Sequence, residues 1–305
     1  MSEYPNHVPT VPNCSPRSAI VSLTPVALAR KLLVLGLLGL GISTAIVQPA
    51  AAGTVLDRVL KTGVLNAGAR QAAVPFGYLE ADGTWSGYSL DLLNLIRDRL
   101  ERRIDRPIQL QLELVTVADR FKRVRSGELA IVCGATSITA PRLEFTNFSV
   151  PFFVTGTQFL LLTENIDSFD FQGTLTGVSI AYIPGTTTDR TIRQVYPGAN
   201  WHPVSNRPEA MELLIRHDIR AIASDGILLT GETRRPEHGE FDFVLAPSQP
   251  MTTEMYGCIL PQDDPAWKTL VDSAIASEAN RQLQSDWFNP DTGRYPYPWH
   301  IWQAD

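Results

Sequence analysis

Apolar positions along the chain follow two alternating rhythms. Residues 64–67, 108–115, 129–133, 178–183, 221–224, 241–245 and 256–260 are short runs that are β-rich or alternate apolar with polar, and they predict strands. Between them, residues 90–103, 119–125, 189–195, 209–216 and 227–232 repeat apolar positions at helical spacing. In the first of these helices the apolar face is Leu92, Leu93, Leu95, Ile96 and Leu100, with Ser89 as the expected N-cap. Asp91 there favours the positive end of the helix dipole. Residues 152–162 read as one long β-rich run and 266–287 as one long terminal helix. Alternating strands and helices predict an α/β fold built on open sheets. The tail after Trp287, rich in Pro, Tyr and Trp, is expected to wrap the surface.

One run departs from both rhythms. Arg30-Lys31 precede uncharged, mostly apolar residues 32–47, then Gln48-Pro49 and Ala50-Ala51-Ala52. A basic start, a short apolar stretch and a small-residue site describe a secretory signal peptide over residues 1–52, cleaved to leave Gly53 first. The competing expectation is an uncleaved anchor, although the run falls short of the ~20 residues that span a bilayer. Cys14 lies before the run, so it cannot be the acylated cysteine of a lipoprotein signal.

The 305 residues are 44% hydrophobic and 19% charged, which excludes wholesale disorder and suggests about two domains. Twenty-six basic residues against 32 acidic ones argue against a nucleic-acid partner. The leader carries Arg17, Arg30 and Lys31 against Glu3, so the exported part is two charges more negative than the whole chain's −6. Three cysteines are too few for a disulfide-built scaffold. Cys133 and Cys258 both sit in apolar strand-like runs and are either two buried thiols or a disulfide, which export permits.

Motifs of catalysis are missing: H-E-x-x-H, G-x-S-x-G and G-x-x-x-x-G-K-[ST] do not occur. The five histidines have no ligand spacing, so no metal and no cofactor are expected. Three polar sites do stand at predicted strand ends. Residues 133–139 run into small and hydroxyl side chains and are followed by Arg142, whose planar fork suits a carboxylate. Gly185-Thr186-Thr187-Thr188 precedes a helix, where free backbone N–H groups suit an anion. Ala223-Ser224-Asp225-Gly226 ends an apolar strand in one carboxylate, which is either a helix N-cap or a cation acceptor. One fork, one anion nest and one acceptor together match a zwitterion, an α-amino acid.

From about residue 54 to residue 287 the chain resembles the family 3 solute-binding proteins of polar amino-acid ABC transporters. The resemblance is carried by Val74-Pro75-Phe76, Gly87-Tyr88-Ser89-Leu90-Asp91-Leu92, residues 134–142, Phe148-Ser149-Val150-Pro151-Phe152, Gly185-Thr186-Thr187, Ser224-Asp225, Tyr256-Gly257-Cys258 and Asp286-Trp287-Phe288, in that order. Singly these are weak; the ordered set is specific. The resemblance implies a two-lobed type II clamshell with two hinge strands. Residues 53–159 plus 256–305 would form lobe 1, and 160–255 lobe 2. It implies that Arg142 binds the ligand α-carboxylate, helped by Thr187 and the Thr186 backbone. Asp225 and carbonyls near Ser137 would take the α-ammonium. Phe76, Phe152 and Trp287 are expected in the core.

Gly68-Ala69-Arg70 resembles the glutamate/aspartate-binding subgroup, where this arginine meets a side-chain carboxylate. Gln158 departs from that subgroup's arginine after Gly156-Thr157, which makes glutamine credible beside the favoured glutamate/aspartate. The implied role is a monomeric periplasmic receptor that delivers an amino acid to an ABC transporter permease. Two alternatives stand. A sensor would fuse the same clamshell to a pore or signalling domain, for which the chain is expected to have no room. A cyclohexadienyl-dehydratase-like enzyme would need Asp225 or Glu254 as its acid/base.

Overall fold

The computed structural model describes residues 54–80 and 82–297, so the leader or anchor read at 1–52 lies outside the described residues. Among them no helix is long and apolar enough to cross a membrane.

Two five-stranded sheets organise the molecule. In the first, Val64–Ala69 pairs in parallel with Gln109–Leu114 and with Ile131–Val132, and Ile259–Leu260 and Asn147–Phe148 complete the far edge. In the second, the order is Asn200–Pro203, Ser179–Tyr182, Ala221–Asp225, Thr157–Leu162, Phe243–Ala246, with the last two antiparallel to their neighbours. Each sheet buries apolar side chains under helices. Tyr88–Ile104 packs Leu92, Leu93, Ile96 and Leu100 onto the first sheet, and all four are fully buried. Trp267 is also fully buried and its indole N–H donates to Ala130 O at 3.0 Å.

The chain crosses between the sheets on two short antiparallel strands, Phe153–Thr155 and Glu254–Tyr256, with Glu254 opposite Thr155. The β-rich run expected at 152–162 is therefore two strands broken at Gly156. A Cβ there would lie 1.7 Å from Thr252 O, so the two crossings can approach only at glycine. Thr157, Gln158 and Phe159 already pair in the second sheet, slightly earlier than the 159/160 boundary read from the sequence. This arrangement is the two-lobed type II clamshell.

Two other expectations are corrected. The terminal helix is two helices, Pro265–Ile275 and Glu278–Phe288, because Ser277 accepts from Asn280 N and starts a new helix. The helix expected at 90 begins at Tyr88 with Gly87 as its cap at φ 132°, where a Cβ would strike Phe76 O at 2.4 Å. Ser89 is buried inside the first turn instead. The tail also does more than wrap the surface. Tyr297 is buried and stacks on Phe153 with ring centroids 5.9 Å apart, beside the Phe76, Phe152 and Phe288 rings. Cys133 and Cys258, which adjoin the neighbouring strands Ile131–Val132 and Ile259–Leu260 of the first sheet, form a disulfide although they lie 125 residues apart in sequence.

Candidate functional site

In parallel α/β sheets the carboxyl ends of the strands face the ligand crevice, and the candidate residues sit there. Arg70 directly follows Val64–Ala69. Ser137 follows the Ile131–Val132 strand, and Arg142 lies on the short helix Ala140–Leu143 after it. From the second lobe, Thr186 caps the helix Thr187–Val195 after the Ser179–Tyr182 strand, Thr187 opens that helix, and Asp225 ends Ala221–Asp225. These six residues line one inner cavity of about 20 Å³ between the lobes. That volume holds about one water, so an amino acid enters only when the lobes part. An outer cleft of about 820 Å³ shares Arg70 and Arg142 with it and is walled by Leu114, Val117, Phe121 and Phe145.

The seventh predicted residue, Gln158, is not among the residues lining either cavity. Its amide N–H₂ donates to Pro247 O at 2.7 Å and Ser248 O at 3.4 Å, which ties its strand to the loop after Phe243–Ala246.

Asp225 stands at the N-cap of the helix Gly226–Thr233 but makes no side-chain cap bond. Its Oδ1 accepts from Thr188 Oγ1 at 3.1 Å and its Oδ2 from the Tyr256 hydroxyl. The carboxylate is thus held toward the cavity, available to a cation. Arg142 donates to Ser137 O at 2.6 Å and lies over the Phe121 ring, 5.2 Å from its centroid. Thr186 spends its hydroxyl locally, donating to Ile183 O at 2.8 Å and accepting from Asp189 N at 3.1 Å.

Two further arginines reach the cavity, and the sequence reading passed over both. Arg120 opens the helix Arg120–Arg125 and is 2% exposed. Its Nε and Nη1 find no hydrogen-bond partner among the described residues. Arg207 opens Arg207–Ile215 and is 3% exposed; it donates to Ser224 Oγ at 3.1 Å and across the cleft to Ala72 O at 3.4 Å. The signal for Arg120 was its spacing: it lies four residues before Val124, on the face that the helix buries.

Burial is the main cause that lowers the pKa of Arg70, Arg120 and Arg142, and repulsion from neighbouring arginines adds to it. Arg70 is brought down to about 10 by burial and then by Arg207. Arg120 falls well below its ordinary value by burial and then by Arg70 and Arg142. Arg142 is lowered by burial and then by Arg190. An uncompensated buried charge costs several kcal/mol, so this cluster is built for an anion.

Glu254, on the returning hinge strand, is 7% exposed and sits between the lobes. Its Oε2 accepts from the Ser137 and Thr187 hydroxyls. Burial first, then the Asp225 charge, raises its pKa to about 7. Among the described residues no group of three or more His, Cys, Asp or Glu is placed to hold a metal ion.

Comparison with known proteins places this geometry. The glutamate/aspartate import solute-binding protein of Escherichia coli strain K12 is 29% identical over 260 residues, covering 83% of this chain and 84% of that protein. The L-glutamate/L-aspartate-binding protein of Pseudomonas aeruginosa is 30% identical over 258 residues, covering 81% and 83%. Among solved structures, an ancestral amino-acid-binding protein described as a precursor of cyclohexadienyl dehydratase superposes with a TM-score of 0.67 at 20% identity, covering 77% of this chain and 99% of that one. Residues 65–290 match the bacterial extracellular solute-binding proteins, family 3, and the chain belongs to that family.

Proposed function

We propose that the protein captures an acidic amino acid, glutamate or aspartate, between its lobes and hands it to an ABC importer outside the cytoplasm. The observation that carries this reading is Arg120: a fully buried guanidinium with two unpartnered N–H donors, beside Arg70 and Arg142. One carboxylate would satisfy Arg142; a second is needed by Arg70 and Arg120. Asp225 is the acceptor for the α-ammonium. The loss of an arginine at Gln158 is offset by Arg120 and Arg207, which favours a dicarboxylate over glutamine. The relatives' names agree with this choice.

The mechanism is conformational. Arg70, Arg120 and Arg142 belong to one lobe and Asp225 to the other, so a zwitterionic dicarboxylate contacts both only when they are closed. Binding then shifts the population to the closed form by its differential affinity, and the closed form is what an importer would receive. A dehydratase on this fold would need a free acid/base group with a raised pKa. Glu254 has the pKa but does not line the inner cavity, and its oxygens are held by hydroxyls.

Calorimetric titration of the purified protein with glutamate, aspartate and glutamine tests the reading. Glutamate or aspartate is expected to bind more tightly than glutamine, and Arg142→Ala to abolish binding. No heat with any of the three at millimolar ligand, or turnover of a cyclic acid, would overturn it.

A further inference from the structure

We infer that Glu254 is a positioning residue that sets the hydrogen-bonding polarity of the cleft, turning the Ser137 and Thr187 hydroxyls into acceptors for the ligand's ammonium group. The inference rests on the amino-acid reading above and goes beyond it. A hydroxyl carries one proton and two acceptor lone pairs. Ser137, from the first lobe, and Thr187, from the second, lie 3.3 Å apart and both donate to the same oxygen, Glu254 Oε2. With their protons committed there, both present only lone pairs to the cavity they line. Lone pairs suit an ammonium and repel a carboxylate. Thr187 therefore moves from the carboxylate side of the ligand, where the family resemblance put it, to the ammonium side next to Asp225.

The commitment holds only while Glu254 is an acceptor. Protonated at Oε2, the carboxyl donates to one of the two hydroxyls, which then turns its hydrogen into the cavity. The groups around Glu254 leave this balance open. Its Oε1 accepts from Thr252 at 3.4 Å and Thr157 at 3.5 Å, weak contacts from uncharged side chains. The charged groups facing it are Asp225 from the Ala221–Asp225 strand, which disfavours ionisation, and Arg142 from the Ala140–Leu143 helix, which favours it. Tyr256, on its own strand, is held neutral by burial and by Asp225. The result is a carboxyl pushed up to about 7. A ligand ammonium beside Ser137, Thr187 and Asp225 favours the ionised form, so binding expels a proton from Glu254 wherever it is still protonated. The sign follows from linkage: affinity rises as pH rises through 7, by about tenfold between pH 6 and pH 8 for one group. Glutamate itself titrates outside this window.

Calorimetry with L-glutamate at pH 6 and pH 8, in buffers of different ionisation enthalpy, reads both the affinity and the protons released. Close to one proton released per glutamate at pH 6, near none at pH 8, and Glu254→Gln flat in affinity over this range support the assignment. A wild-type affinity independent of pH with no proton release overturns it, as does a slope that Glu254→Gln retains. If Glu254→Gln does not fold, Glu254→Asp serves: a shifted midpoint supports the role and an unchanged one overturns it. Absence of glutamate binding at every pH would remove the ligand reading beneath it, a distinguishable failure.

Discussion

A buried arginine with unpartnered N–H groups costs stability in exchange for a function, and Arg120, with its Nε and Nη1 unpartnered among the described residues, has that profile. Its neighbours are like charges, Arg70 and Arg142, and the Phe121 ring 5.2 Å below it. Replacing it by Met removes a desolvated charge and keeps an apolar stem against Phe121. The melting temperature of the unliganded Arg120→Met protein is expected to stay level or rise, since replacing buried ions by apolar groups is often neutral or stabilising. Its glutamate affinity is expected to fall by about 10- to 100-fold, the worth of hydrogen bonds to a charged group. Thermal melts and titration of the same variant check both halves. A destabilised protein with intact affinity would make Arg120 a structural residue. Asp225 illustrates the same decision at one residue. Its place in the sequence fits an N-cap, yet its two oxygens go to Thr188 and Tyr256. No sequence pattern distinguishes those outcomes, because both partners lie more than 30 residues away.

Elements were legible wherever a periodic apolar face was long enough to declare itself. The helix Tyr88–Ile104 and the strand Ala221–Asp225 are predicted within two residues at every end. One error falls where a short polar signal interrupts a continuing apolar pattern. Residues 266–287 keep helical periodicity throughout, but Ser277 caps a second helix inside it. Ser277→Ala is expected to cost about 1 kcal/mol. For a molecule of this size that lowers the melting temperature by roughly 2–4 °C, which differential scanning calorimetry resolves. The break at Gly156 has a different cause: the run 152–162 is apolar on both sides of it, and the glycine is required only because Thr252 passes across it.

At the scale of the whole molecule, the first lobe is assembled from both ends of the described chain, and the Cys133–Cys258 disulfide ties those ends together. Closing a loop of 125 residues constrains the unfolded chain, and loss of such a bond typically costs about 2–5 kcal/mol. Reduction is therefore expected to lower the melting temperature markedly. Glutamate affinity at 25 °C should change little, because neither cysteine lines the inner cavity. Melting curves and titrations with and without reductant check this. A lost affinity at unchanged stability would place the bond in the binding step.

The sequence by itself determined the α/β class, the alternation of the main strands and helices, and the polar residues at strand ends. Those depend on local periodicity and on the rule that strand ends open to a crevice. The family resemblance added the two lobes and Arg70, and gave Arg142 and Asp225 their expected roles. Tertiary structure alone decided that Arg120 and Arg207 join them, that Gln158 is turned to Pro247 and Ser248, that the two cysteines meet, and that Glu254 lies across the cleft from one lobe to the other. The physical reason is common to all four. Each depends on which buried surfaces meet when two sheets close around the hinge, and the partners are up to 135 residues apart, beyond the reach of any local pattern.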